Sequence, residues 1–175
     1  MKITYNQIKD EIKEVSLLIG GSEQFVPGIL ENFKFVLLPL VLYSIFFSLC
    51  PFGEVFDLNL WCALGVMSIF FWYFAARFFY GFGVIFSMLP KGAFEKYQVI
   101  KIVTDKARIY YIVWIVAIVI AGLLSVFTIF NVLSLAVITL LSTIMLGIAF
   151  NLDISRYQIS GLFGALAAAK EKWNQ

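Results

Sequence analysis

Residues 109–152 form a run of 44 residues without one charged side chain. A single crossing of a bilayer core takes about 20 predominantly apolar residues at ~1.5 Å rise each. The run therefore holds two membrane-spanning helices with only a tight turn between them, and Asn131 is the turn residue inside it. A charge at the bilayer centre costs roughly 2.5–3.5 kcal/mol on insertion scales, so freedom from charge over this length is what insertion demands.

The rest of the chain agrees. Of its 175 residues 62% are hydrophobic and 14% charged, against about 25% charged in soluble domains. The reading is an all-α integral membrane protein with four transmembrane helices. Span one covers residues 35–50 and is closed by Pro51, span two covers 58–76, span three 109–130 and span four 132–152. Arg77 interrupts the second apolar stretch, which resumes over 78–90. Two readings stay open there: a long tilted helix projecting past the membrane, or a helix ending near Arg77 with 78–89 folded back into the interface. Arg77 would carry its guanidinium out to the headgroups on its apolar stem.

The charges are segregated. All 13 Lys and Arg fall before span one, in the segment 77–108, or after span four. The loop between spans one and two carries only Glu54 and Asp57, and the turn at Asn131 carries nothing. By the positive-inside rule the basic side is cytoplasmic, which puts both termini inside. The domains are then an N-terminal arm (1–34), a membrane domain (35–152) with a cytoplasmic segment (78–108), and a C-terminal helix (153–175).

The arms carry helical patterns. Tyr5, Ile8, Ile12, Val15 and Ile19 alternate at three and four residues, an amphipathic seam that Gly20-Gly21 would stop. Pro27 suits the start of a new helix leading into span one. Phe94, Tyr97, Ile100, Val103 and Ala107 predict a helix running continuously into span three. The N-terminus lacks the apolar core of a signal peptide, and neither end carries a lipidation box.

Candidate chemistry is sparse. Histidine is absent, and no nucleophile elbow, phosphate loop, HExxH or CxxC occurs. No span contains Asp, Glu or Lys, which ion-coupled transport usually requires. No dense basic run suggests nucleic acid. Cys50 and Cys62 flank the short loop and either form a disulfide or serve as small apolar packers. Glu54 and Asp57 read as a solvated loop, a partner contact or a cation site. Asp153 and Arg156, three apart, are expected to pair on one helix face. Small residues Ala117, Ala121 and Ser125 on span three, and Gly161, Ala165 and Ala169 on the closing helix, suit close helix packing or oligomerisation. Thr139, Ser142 and Thr143 are the densest polar patch within a span and read as packing. Eleven aromatics lie between Trp61 and Phe86, more than one bundle core needs. They make Trp61, Trp72, Tyr73, Phe78, Phe79 and Tyr80, with Glu54 and Asp57, the candidate partner contacts. No catalytic, cofactor or metal-binding residue is expected.

The size, the four spans and the closing segment NLDISRYQISGLFGALAAAKEKWNQ (151–175) together resemble the TraS entry-exclusion proteins of F-type conjugative plasmids. The resemblance implies a multi-pass protein of the bacterial inner membrane. It also implies a function, blocking redundant DNA transfer from donors of the same plasmid type by recognising the donor mating-pair protein TraG. It brings no catalytic residue and no cofactor. Besides this stands the reading of a non-catalytic accessory subunit of a membrane transport or secretion complex. A small channel or a lipid enzyme would need a polar pathway or an acid/base pair in the spans.

Overall fold

The computed structural model describes residues 5–20, 34–53, 55–87 and 92–155. These are helical with short connections, and no strand occurs among them. The helices are α1 (Tyr5–Gly20), α2 (Lys34–Leu49), α3 (Leu58–Ser87), α4 (Ala93–Lys96), α5 (Gln98–Phe127) and α6 (Asn131–Ser155), with a 3-10 turn at Cys50–Phe52 after α2. Four helical stretches are long and apolar enough to cross a membrane: Phe35–Phe52, Leu58–Phe79, Gln98–Phe127 and Asn131–Ser155. The described residues are those of a multi-pass, helical membrane protein.

Three boundaries differ from the sequence reading, each for a local reason, and of the two readings left open for span two the chain adopts the long helix. The helix of span two does not break at Arg77; α3 runs unbroken to Ser87, so the fold-back reading is not what the chain adopts. Arginine is a good helix former, and the apolar residues on both sides give the helix no reason to stop. The segment before span three is not one helix. Gly92 takes a left-handed conformation (φ 100°), α4 lasts one turn, and Tyr97 is extended (φ −103°, ψ 119°) before α5 starts. Span three stops at Phe127 rather than at residue 130, because Thr128 is extended (φ −127°, ψ 162°) while its N–H still bonds to the Leu124 carbonyl. Span four accordingly begins at Asn131 and runs to Ser155.

Helices in lipid gain nothing from burying apolar surface against one another, so packing and hydrogen bonds must hold them. The core draws on all four spans: Val36, Tyr43 and Cys50 from the first, Trp72 and Ala75 on α3, Trp114, Ile118 and Ala121 on α5, and Val132 and Leu135 on α6. Helices α5 and α6 make the most extensive contact, α2 packs on α5, and α3 is the least buried of the four. Close approach of α2 to α5 depends on Gly122, since a Cβ there would overlap the Phe46 ring.

Asn131 fastens the end of the bundle where the two short connections meet. It is 5% exposed, and its positive φ of 43° is one that asparagine tolerates. Its Nδ2 donates to the Cys50 carbonyl at 2.9 Å and its Oδ1 accepts the Val132 N–H at 2.6 Å. The Gly53 N–H bonds to the same Cys50 carbonyl at 3.0 Å. A Cβ on Gly53 would sit 2.7 Å from the Asn131 Nδ2, so the amide lies directly over bare glycine backbone.

Asn131→Ala should destabilise the folded protein by about 2–3 kcal/mol, from two lost hydrogen bonds and a carbonyl left short of a donor. Gly53→Ala should act by dislodging the same amide. The double variant, measured by denaturant titration in one detergent, should therefore cost clearly less than the sum of the single variants.

Candidate functional site

The candidate contacts fall into three groups once placed on the helices. The first is spent on the fold. Asp57 is the N-cap of α3: its Oδ1 accepts the N–H groups of Asn59 at 2.8 Å and Leu60 at 3.2 Å, satisfying donors that a helix start leaves open. Trp61 stacks on Phe47 at 4.8 Å and donates from Nε1 to the Phe47 carbonyl at 3.0 Å. Trp72 is no surface residue. It is 7% exposed and lies among Tyr43, Phe71 and Trp114 at 5.4–6.0 Å between ring centroids. Phe79 is partly buried and stacks on Trp114 at 5.3 Å.

The second group is exposed. Tyr73 and Phe78 stand on the outer side of α3, with Met67, Phe70 and Phe74 beside them. Arg77 is exposed on the same helix. The third group lies outside the described residues: Glu54, and the side chain of Tyr80. The segment from Arg156 onward, which holds Gly161, Ala165 and Ala169, also lies outside them, as does the segment around Pro27.

Trp114 organises the interior. Its Nε1 donates to Thr143 Oγ1 at 2.8 Å, and that hydroxyl donates to the Thr139 carbonyl at 2.6 Å. The Thr139, Ser142 and Thr143 patch is thus turned inward onto its own helix and onto Trp114. On the other side Tyr43 and Ser68 hydroxyls lie 2.6 Å apart; Ser68 donates to the Leu64 carbonyl, so the tyrosine donates to Ser68. Among the described residues, Trp72 Nε1 and Thr139 Oγ1 are buried without a hydrogen-bond partner. Ala121 and Ser125 are buried in the bundle, where Ser125 donates to the Gly122 carbonyl.

Both cysteines are free. Cys50 is buried and donates to the Phe46 carbonyl at 3.3 Å, whereas Cys62 is exposed. They do not form the permitted disulfide.

Charged chemistry collects at the opposite end of the bundle from Asn131. The carboxylate of Asp153 pairs with Lys106 of α5, about one-quarter exposed on each side, with the Tyr110 hydroxyl at 3.4 Å. This partner lies on the neighbouring helix; the expected pairing with Arg156 lies outside the described residues. Glu11 of α1 accepts the Val99 N–H at 2.9 Å. Tyr97, the N-cap of α5, supplies no side-chain bond of its own, so a carboxylate from another helix does the capping. Ile8 and Val15 of α1 are buried, as are Ala93, Tyr97, Val99, Ile100 and Val103. The Lys96 ammonium lies 5.0 Å from the Tyr97 ring centroid. Its pKa is raised, first by hydrogen bonding to the Tyr97 side chain, then by the charges of Tyr97 and Glu14.

Among the described residues no group of three or more Cys, Asp or Glu could hold a metal ion. Comparison with family models, with curated proteins and with solved structures yields no match for the chain.

Two contrasts test this placement. Trp72→Phe loses no hydrogen bond, whereas Trp114→Phe breaks the bond to Thr143; the second should cost about 1–2 kcal/mol more in stability than the first. Glu11→Ala should move the Val99 amide proton resonance upfield in labelled protein and speed its exchange, at a stability cost of about 0.5–2 kcal/mol.

Proposed function

We propose that this chain is an entry-exclusion protein of the bacterial inner membrane, with both termini in the cytoplasm, that recognises the donor mating-pair protein TraG and blocks redundant conjugative transfer. The orientation rests on the segregation of all 13 basic residues to one side of the spans. The family assignment rests on the whole-chain resemblance in size, span count and closing segment.

The observation that best supports a recognition role is the character of α3. It is the least buried span and presents exposed Met67, Phe70, Tyr73, Phe74 and Phe78. The spans themselves contain no Asp, Glu or Lys before the Lys106–Asp153 level. Such a bundle offers shape and aromatic contact rather than acid–base chemistry, and aromatics carry much of the energy of protein interfaces. The connections at the Asn131 end hold only a few residues, and a standard interface buries ~800 Å² on each partner. The contact therefore falls along α3 and the cytoplasmic helices, with Tyr73 and Phe78 as the exposed aromatic candidates. Trp72, being interior, acts only through the fold.

Expression of the chain alone in a plasmid-free recipient should lower transconjugant numbers from one F-type donor specificity and not from others. Tyr73→Ala combined with Phe78→Ala should restore transfer by about tenfold or more, the equivalent of roughly 1.4 kcal/mol of lost contact, at unchanged membrane abundance. Unchanged transfer from every donor tested would remove the exclusion reading. Stable co-purification with a host membrane complex in the absence of donors would then favour the accessory-subunit reading.

A further inference from the structure

We infer that the Asn131 end of the bundle does not project into water but is sunk in the headgroup–acyl boundary of the bilayer. The tips of both connections are apolar and exposed. Phe52 is 83% exposed, and Phe127, Ile129 and Phe130 lie between 62% and 74%. No basic residue occurs between Lys34 and Arg77 or between Arg108 and Arg156, and the 128–130 connection carries no charge at all, so only Glu54 and Asp57 of the other connection favour water at this end. Solvated turns are usually built from Gly, Pro, Asn, Asp and Ser, and Phe127, Ile129 and Phe130 are none of these.

Two further observations point to lipid as the occupant of this apolar cap. The first is length. From Ile109, just after the last charge of α5, to Phe127 the helix rises about 28 Å, slightly less than a hydrocarbon core of ~30 Å. If Arg108 marks one headgroup level, the Phe127–Phe130 tip reaches only the boundary on the far side. The second is polar satisfaction. Irregular backbone at membrane depth persists only if its polar groups are bonded within the protein. Here Thr128 N–H bonds to Leu124, Asn131 N–H to Thr128, Leu133 N–H to Phe130 and Gly53 N–H to Cys50. The Thr128 hydroxyl donates to Leu124 and the Ser134 hydroxyl to Asn131, while the Asn131 amide bridges Cys50 and Val132. These bonds satisfy much of the backbone of both connections, and the Ile129 and Phe130 N–H groups, which make no such bond, are left for the headgroups. Asp57, exposed at the start of α3, then sits among the headgroups.

The consequence is an end of the protein that hides itself from the aqueous compartment it faces. A partner approaching from that side meets lipid headgroups, and contact must be made within the bilayer or from the opposite end. This inference stands apart from the exclusion reading, and its test reads depth rather than transfer.

The test is spin-label depth in liposomes containing anionic lipid, on a Cys62→Ser background, since Cys62 is the exposed native thiol. Labels are placed by Phe52→Cys, Ile129→Cys and Phe130→Cys, with Val116→Cys, exposed on the middle of α5, as the hydrocarbon reference and Lys101→Cys as the aqueous one. The three tip labels should relax more with oxygen than with a water-soluble nickel chelate and read about 5–10 Å below the phosphate level. Because the tips are exposed and touch no core, at least two of the three variants should fold and report. Nickel accessibility at the tips equal to that at the Lys101 position would overturn the inference. The cap would then be a water-facing apolar surface suited to a protein partner.

Discussion

One side-chain amide holds two helical hairpins together. Asn131 reaches from the start of α6 to the Cys50 carbonyl at the end of the first span and turns its oxygen back to cap its own helix. In lipid, helices associate through packing and hydrogen bonds alone, so a bridge that also completes the backbone of both connections has unusual leverage. It explains why position 53 is glycine, since any Cβ would strike the amide. It explains the abrupt turn after Phe127, since the left-handed Asn131 allows α6 to start almost at once. With the α2 and α6 ends joined there, Phe46 is carried against Gly122 and the close α2–α5 contact follows.

The two ends of the bundle are fastened by different chemistry. At the Asn131 end the bonds that join the two hairpins are neutral. At the other end a Lys106–Asp153 pair joins α5 to α6, and Glu11 caps α5 from α1. The ion pair is partly exposed, so solvent screening limits its contribution; its use is to set the register between two long helices. Between the ends, Trp114 links α5 to α6 by a hydrogen bond and to α3 only by ring contacts with Trp72 and Phe79. Helix α3 is held to α2 by the Trp61–Phe47 and Tyr43–Ser68 hydrogen bonds and is the most exposed span. The recognition role proposed for the chain would use that face.

What the residues reveal beforehand follows from the solvent. Span existence is legible because the 109–152 run has no charge to argue with, and Asn131 is its natural turn. Which face of a span points inward is not legible by hydropathy, because lipid accepts the same residues as the core. Trp72 and Tyr73 are neighbours of similar type, yet one is buried and the other exposed. Spacing held some signal: Trp114, Ile118, Ala121 and Ser125 recur at four, three and four residues and all face inward. The break at Tyr97 had no proline or glycine at the position itself, only Gly92 upstream. Asp57 as a helix cap was readable from its place just before Leu58. The Lys106 partner of Asp153 was not, because it depends on the register of two helices 47 residues apart in sequence.

The most direct test of the account is backbone hydrogen–deuterium exchange of the full chain in lipid nanodiscs, resolved over residues 50–53 and 128–131. If the Asn131 clasp closes both connections, their bonded amides at Gly53, Thr128 and Asn131 exchange as slowly as the helices that flank them, and Asn131→Ala releases both segments together. Fast exchange there in the unaltered protein, beside slow exchange in the flanking helices, would mean the connections are open to water and the clasp is not what joins the two hairpins.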